Sequence, residues 1–153
     1  MMRNLIRKNP LVFFIFLTLV ISWFPWYTGR QGIFVFGPSV AGVITIALVA
    51  GKDGLQELMR RALQWKVGIK WWLVALLLPA LLTLIALGVN MLMGAAVPPF
   101  TFIKDQWYLL PVFFVITLVG GPLGEEFGWR GFMLPQLQQK MSPWLANLLL
   151  GLT

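Results

Sequence analysis

Apolar residues run through this chain in long blocks, and polar residues gather into short stretches between them. The first block, PLVFFIFLTLVISWFPWY, covers residues 10–27 and follows Arg3, Arg7 and Lys8. A signal peptide shares the basic start, but this block outruns an ordinary signal core and no small-x-small cleavage site follows it, which predicts a retained transmembrane helix. A second block covers about 33–50, where Gly37, Pro38, Gly42 and Ala47 offer small surfaces for close helix contact. A third extends from Trp71 to about Met93 with Pro79 inside it, where a bend is expected. The fourth begins near Trp107 and leads through LLPVFFVITLVGG into an acidic stretch. A fifth, SPWLANLLLGLT, starts at Ser142 and reaches Thr153 well short of the roughly 20 residues that cross a bilayer core. The pattern predicts an all-α polytopic transmembrane bundle of four full spans plus the start of a fifth.

Between the second and third blocks the period changes. In KDGLQELMRRALQWKVGIK, Leu55, Leu58, Met59, Ala62 and Leu63 share one helical stripe. Asp53, Glu57, Arg60, Arg61 and Gln64 share the opposite one. Asp53 followed by Gln56 resembles a helix-start capping box. An amphipathic helix at about 53–68 is expected to lie on the membrane surface, the alternative being a loop helix packed on the bundle. No internal repeat or low-complexity segment interrupts this plan.

Composition agrees with the pattern: 59% of residues are hydrophobic, 11% are charged and the mean hydropathy is +0.82. A soluble domain needs more polar surface than that. The net charge of +7 does not imply nucleic acid, because the basic residues sit between apolar blocks, where they set orientation and meet anionic headgroups. The lipid bilayer is the expected partner. The positive-inside bias places the N-terminus, the 51–70 loop and the end of the fourth span in the cytoplasm, with Arg30 and Lys104 in the opposite loops. A multi-pass protein of the cell membrane with a cytoplasmic N-terminus follows. The chain has no cysteine and no histidine, which excludes disulfides and thiol chemistry and removes the usual metal ligand and general base.

The one dense cluster of charge within an apolar context is GGPLGEEFGWRGF, residues 120–132. An ionised carboxylate at membrane depth costs on the order of 3 kcal/mol, so each glutamate needs a partner or water. If the helix continues through Pro122, Glu126 and Arg130 lie four apart on one face and can pair. Glu125 is rotated about 100° away and faces something else. Gly120, Gly124 and Gly128 form a stripe that lets another helix approach, and Glu125 borders it. A carboxylate so placed can serve as a general base. The plainer alternative is a pair of glutamates in the headgroup zone. Elimination points to the same residues: Ser22, Ser39 and Ser142 have no histidine to activate them, and Asp53 and Asp105 fall in loops.

GEEFGWRGFMLPQLQ closely resembles the Glu-Glu-x-x-x-Arg motif of the CAAX-protease and bacteriocin-processing (CPBP) family of intramembrane proteases, matching at Glu125, Glu126 and Arg130. SPWLANLLLGLT resembles the start of that family's next helix, and the basic, tryptophan-rich RRALQWKVGIKWWLVALLLP resembles its bacterial members. The likeness divides the chain into an N-terminal region, 1–107, of three spans plus the surface helix, and a partial CPBP domain, 108–153. It implies a multi-helix bundle with a cavity open to the cytosol, acting on peptide or protein substrates that are prenylated or bacteriocin-like. It implies Glu125 as the base activating water, Glu126 as its acidic partner and Arg130 as the charge that holds the site. For the full-length family it also admits a divalent metal such as zinc. The family's Phe-x-x-x-His and His-x-x-x-Asn/Asp motifs are missing here, so the expectation is a truncated portion that is catalytically incompetent alone. The rival expectation is a non-catalytic membrane protein: a remnant, or a bacteriocin-immunity or scaffolding subunit.

Overall fold

The computed structural model describes residues 2–96 and 104–152; Thr153, where the fifth apolar block stops, lies outside them. The described residues form helices and no strand. The basic start forms α1 (Met2–Lys8), and the first apolar block is divided into α2 (Pro10–Ser22) and α3 (Phe24–Tyr27). Pro10 and Pro25 each sit in the opening turn of a helix, where the missing N–H leaves no bond unmade. With 13 residues, α2 rises only about 20 Å, less than the roughly 30 Å of a hydrocarbon core. Among the described residues three helices, not four, are long and apolar enough to cross a membrane: α4 (Gly37–Ala62), α5 (Ile69–Leu92) and α6 (Trp107–Gln138).

Helix α4 joins what the pattern separates, carrying the second apolar block straight into the amphipathic stretch. The break between the two halves falls at Gly51, whose φ of 65° and ψ of −147° suit a residue without a Cβ. The amphipathic half ends at Ala62 rather than near residue 68, and 64–68 are not helical. Leu58 is buried in the protein core, whereas Met59 and Leu63 stay exposed. The apolar stripe therefore packs partly on the protein itself.

The chain forms two compact units, Met1–Leu63 with Val112–Thr153, and Gln64–Pro111. The first has a core built from Phe14 of α2, Ala41, Ile46 and Leu58 of α4, and Phe132, Met133 and Leu137 of α6. Ala146 of α7 (Pro143–Gly151) completes it. Ser142 caps α7 by accepting from the Leu145 N–H, followed by Pro143 in the first turn. The second unit carries α5, apolar on every side and without a buried residue, as a lipid-facing helix should be. Pro79 lies inside it, and the Thr83 hydroxyl donates to the Pro79 carbonyl at 2.8 Å.

Candidate functional site

The acidic motif lies in the middle of α6, in a single α-helical turn, Gly124–Gly128, held between two π-helical turns, Val119–Leu123 and Trp129–Met133. The first contains Pro122, which has no N–H to donate and a ring that crowds the preceding turn. Widening to a π turn lets the helix pass the proline without breaking. The Ser39 hydroxyl of α4 donates to the Leu123 carbonyl at 3.4 Å beside it. Such single-turn π bulges change which face the following residues present.

Glycines bring α4 against this turn. A Cβ on Gly42 would stand 2.9 Å from the Gly128 Cα, and one on Gly128 would overlap the Pro38 carbonyl. Gly124 faces Val35 in the same way, and a Cβ on Gly131 would meet Leu58. Of the expected stripe, Gly124 and Gly128 make the close approach; Gly120 has nothing near it.

The two carboxylates are held differently. Arg130 Nη1 lies 3.2 Å from Glu126 Oε1, across one turn of helix. Glu126 Oε2 is buried and has no hydrogen-bond partner, so one acceptor of this group still calls for a donor. Glu125 is not left to itself: the Trp129 indole N–H donates to its Oε2 at 3.3 Å. Trp129 in turn meets the buried Phe14 of α2 edge to face, with ring centroids 5.5 Å apart and planes at 88°. Phe14 also contacts Phe132 at 5.1 Å. An aromatic chain thus runs from α2 to the carboxylate of Glu125.

A cavity of ≈ 370 Å³ opens on these groups, bounded by Glu125, Glu126, Trp129 and Arg130 of α6 and by Asn147 and Leu150 of α7. Asn147 Nδ2 donates to the Pro143 carbonyl at 2.8 Å. Trp129 and Asn147 were not singled out on sequence. Trp129 carried a usable signal, since it follows Glu125 at the spacing that links Glu126 to Arg130; Asn147 carried only its polarity.

The donor set does not suit a metal ion. A catalytic zinc has three protein ligands. No group of three His, Cys, Asp or Glu residues occurs among the described residues, and Glu126 is committed to Arg130.

Residues 106–153 match the family described as Type II CAAX prenyl endopeptidase Rce1-like. Over 165 residues the chain is also 24% identical to a curated protein of Methanococcus maripaludis named CAAX prenyl protease 2, an alignment covering 95% of this chain and 60% of that protein. Over these residues the chain is similar to that family, in agreement with the CPBP resemblance of its acidic motif. The match contains the whole α6 motif and α7, the elements that wall the cavity. With several apolar helices and this likeness, it is a multi-pass membrane protein. The chain spans 60% of the length of the curated relative it matches. No solved structure matches it.

Proposed function

We propose that this chain supplies the acidic half of an intramembrane endopeptidase site, in which Glu125 takes a proton from water as the water attacks a peptide carbonyl and passes it to the amine that leaves when the C–N bond breaks. The observation that carries the reading is the unequal state of two adjacent carboxylates on one cavity. Glu125 is held through Oε2 by Trp129, which leaves Oε1 to face the water. Glu126 is steadied by Arg130 through Oε1, and its Oε2 is buried without a hydrogen-bond partner. Arg130 keeps the pair from accumulating two uncompensated negative charges. The substrate is a peptide or protein segment reaching the cavity from the cytoplasmic side, prenylated or bacteriocin-like. In this reading the family-like portion is 108–153, after an N-terminal region, 1–107, of three spans plus the surface helix.

The chain contributes carboxylates and a guanidinium but no imidazole, and Glu125 is the base it brings to the proposed site. The test is cleavage of a quenched-fluorescence peptide by the chain in liposomes, compared with Glu125→Gln. A general base is worth about 10²–10⁴ in rate, so Glu125→Gln should lose at least about 100-fold at unchanged protein level. If Glu125→Gln cleaves as well as the unaltered chain, Glu125 is not the base; if the unaltered chain cleaves nothing, the acidic half does not hydrolyse alone, and the non-catalytic reading, a remnant or an immunity or scaffolding subunit, stands for this chain.

A further inference from the structure

Away from the acidic motif, a cavity of ≈ 550 Å³ lies where α2 gives way to α3. Val20, Ile21, Phe24 and Phe34 form its apolar walls, and Arg30 is its charged group. The backbone sets Arg30 in place. Its N–H donates to the Pro25 carbonyl at 2.9 Å, and the Phe34 N–H donates to the Ser22 carbonyl at 2.9 Å. The Thr28 hydroxyl donates to the same Pro25 carbonyl at 2.9 Å. Gly29 and Gly32, at φ of 76° and 106°, turn the chain back toward the end of α2 in conformations that a Cβ would oppose. Arg30 forms no ion pair among the described residues. Its guanidinium, a planar fork of N–H donors that fits a phosphate, is therefore available to an outside anion.

The neighbours of Arg30 fix its level. Trp23, Trp26 and Tyr27 are exposed around the α2–α3 junction, and such aromatic residues collect at the headgroup level of a bilayer. Arg30 follows them by three residues, while Val20 and Ile21 lie deeper along α2. We propose that this cavity binds an anionic phospholipid, its phosphate on Arg30 and the upper part of one acyl chain along Val20, Ile21, Phe24 and Phe34. Charge and polarity together select the occupant. A free phosphate leaves the apolar walls unfilled, and a zwitterionic lipid brings no net charge to the guanidinium. The site also answers the length of α2, whose 13 residues fall short of a hydrocarbon core. A headgroup held at Arg30 draws the bilayer surface in to the end of the short helix. Phe14 of the same helix backs Trp129, so the lipid steadies a helix that supports the Glu125 site without entering the reaction.

The test reads binding, and its outcome is independent of hydrolysis. The full chain in dodecyl maltoside micelles is titrated calorimetrically with dihexanoylphosphatidylglycerol and, separately, with dihexanoylphosphatidylcholine, which share acyl chains and differ in net charge. One cation at the headgroup level predicts about fivefold tighter binding of the phosphatidylglycerol. Arg30→Gln keeps the backbone bond to Pro25 and should bring the ratio close to one; Arg30→Lys should keep most of it. Lys104→Gln should leave the ratio unchanged, which separates the site from the general pull of a chain of net charge +7. Val20→Trp fills the apolar wall, keeps Arg30 and should weaken both lipids. No saturable binding, a ratio unchanged in Arg30→Gln, or a ratio lost equally in Lys104→Gln overturns the site. Displacement of the lipid by equimolar inorganic phosphate, or full binding in Val20→Trp, also overturns it, since the cation would then act without the pocket.

Discussion

A carboxylate that is to take a proton from water works best with one oxygen fixed and the other open. The Trp129 indole does the fixing for Glu125, and Phe14 holds the indole from behind. Trp129→Phe keeps an aromatic ring against Phe14 and removes the N–H. A hydrogen bond to a charged group contributes about 1.5–3 kcal/mol. Cleavage should therefore fall by about tenfold or more with little change in thermal stability. A full rate in Trp129→Phe would detach the indole from the chemistry. At Glu126 the relevant property is charge: Arg130→Gln leaves a carboxylate with a buried, unpartnered oxygen and no cation, whereas Arg130→Lys keeps the charge. Cleavage should collapse in the first and survive in part in the second. The Glu126–Arg130 contact was legible from spacing alone, because residues four apart share a helical face. The Glu125–Trp129 bond has the same spacing, yet an indole in a tryptophan-rich membrane protein reads first as an interfacial anchor. That Arg61 joins Glu126 and Arg130 at a second cavity was not legible, since it arrives from α4 and only the fold brings it beside α6.

At the scale of helices, the decisive contact is the crossing of α4 and α6 at Gly42 and Gly128. Without water to drive apolar helices together in lipid, close backbone packing has to hold them. Gly128→Ala would push a methyl group into the Pro38 carbonyl, an overpacking expected to cost about 1–3 kcal/mol. Gly120→Ala meets open space and should leave stability unchanged. Thermal unfolding of the two variants in detergent micelles separates the two cases; equal melting temperatures would show that α4 does not rest on α6 at this point. Long apolar runs made the all-α bundle and the cores of α4, α5 and α6 readable, because run length against bilayer thickness decides them. The interior of α6 was not readable in the same way. Its two π turns arise from Pro122 and from how the helix packs on α4, and a hydrophobicity pattern does not encode a shift of register. The amphipathic stripe from Leu55 to Ala62 was readable by its period, but its merger with the preceding helix depends on one backbone conformation, at Gly51.

For the whole molecule, function turns on which side of the membrane the Glu125 cavity faces. The basic residues are concentrated before the first apolar block and between the second and third, with single cations at Arg30 and Lys104 in the intervening loops. By the positive-inside bias, that distribution puts the N-terminus and the 51–70 stretch in the cytoplasm. Arg61, and with it the Glu126–Arg130 pair that shares its cavity, would then open to the cytoplasmic side. The shortness of α2 makes the first crossing the weak step, since 13 residues do not reach across the core unaided and need flanking residues or a thinned bilayer. The absence of cysteine makes the alternation directly measurable. Single substitutions Lys8→Cys, Arg30→Cys, Lys66→Cys and Lys104→Cys, each in the otherwise cysteine-free chain, can be labelled in intact cells with a membrane-impermeant maleimide. Arg30→Cys and Lys104→Cys should label from outside, and Lys8→Cys and Lys66→Cys only after the membrane is opened. If Lys8→Cys and Arg30→Cys label from the same side, the α1–α3 segment does not cross. If Lys66→Cys labels from outside, the 51–70 stretch is not cytoplasmic and the positive-inside orientation fails.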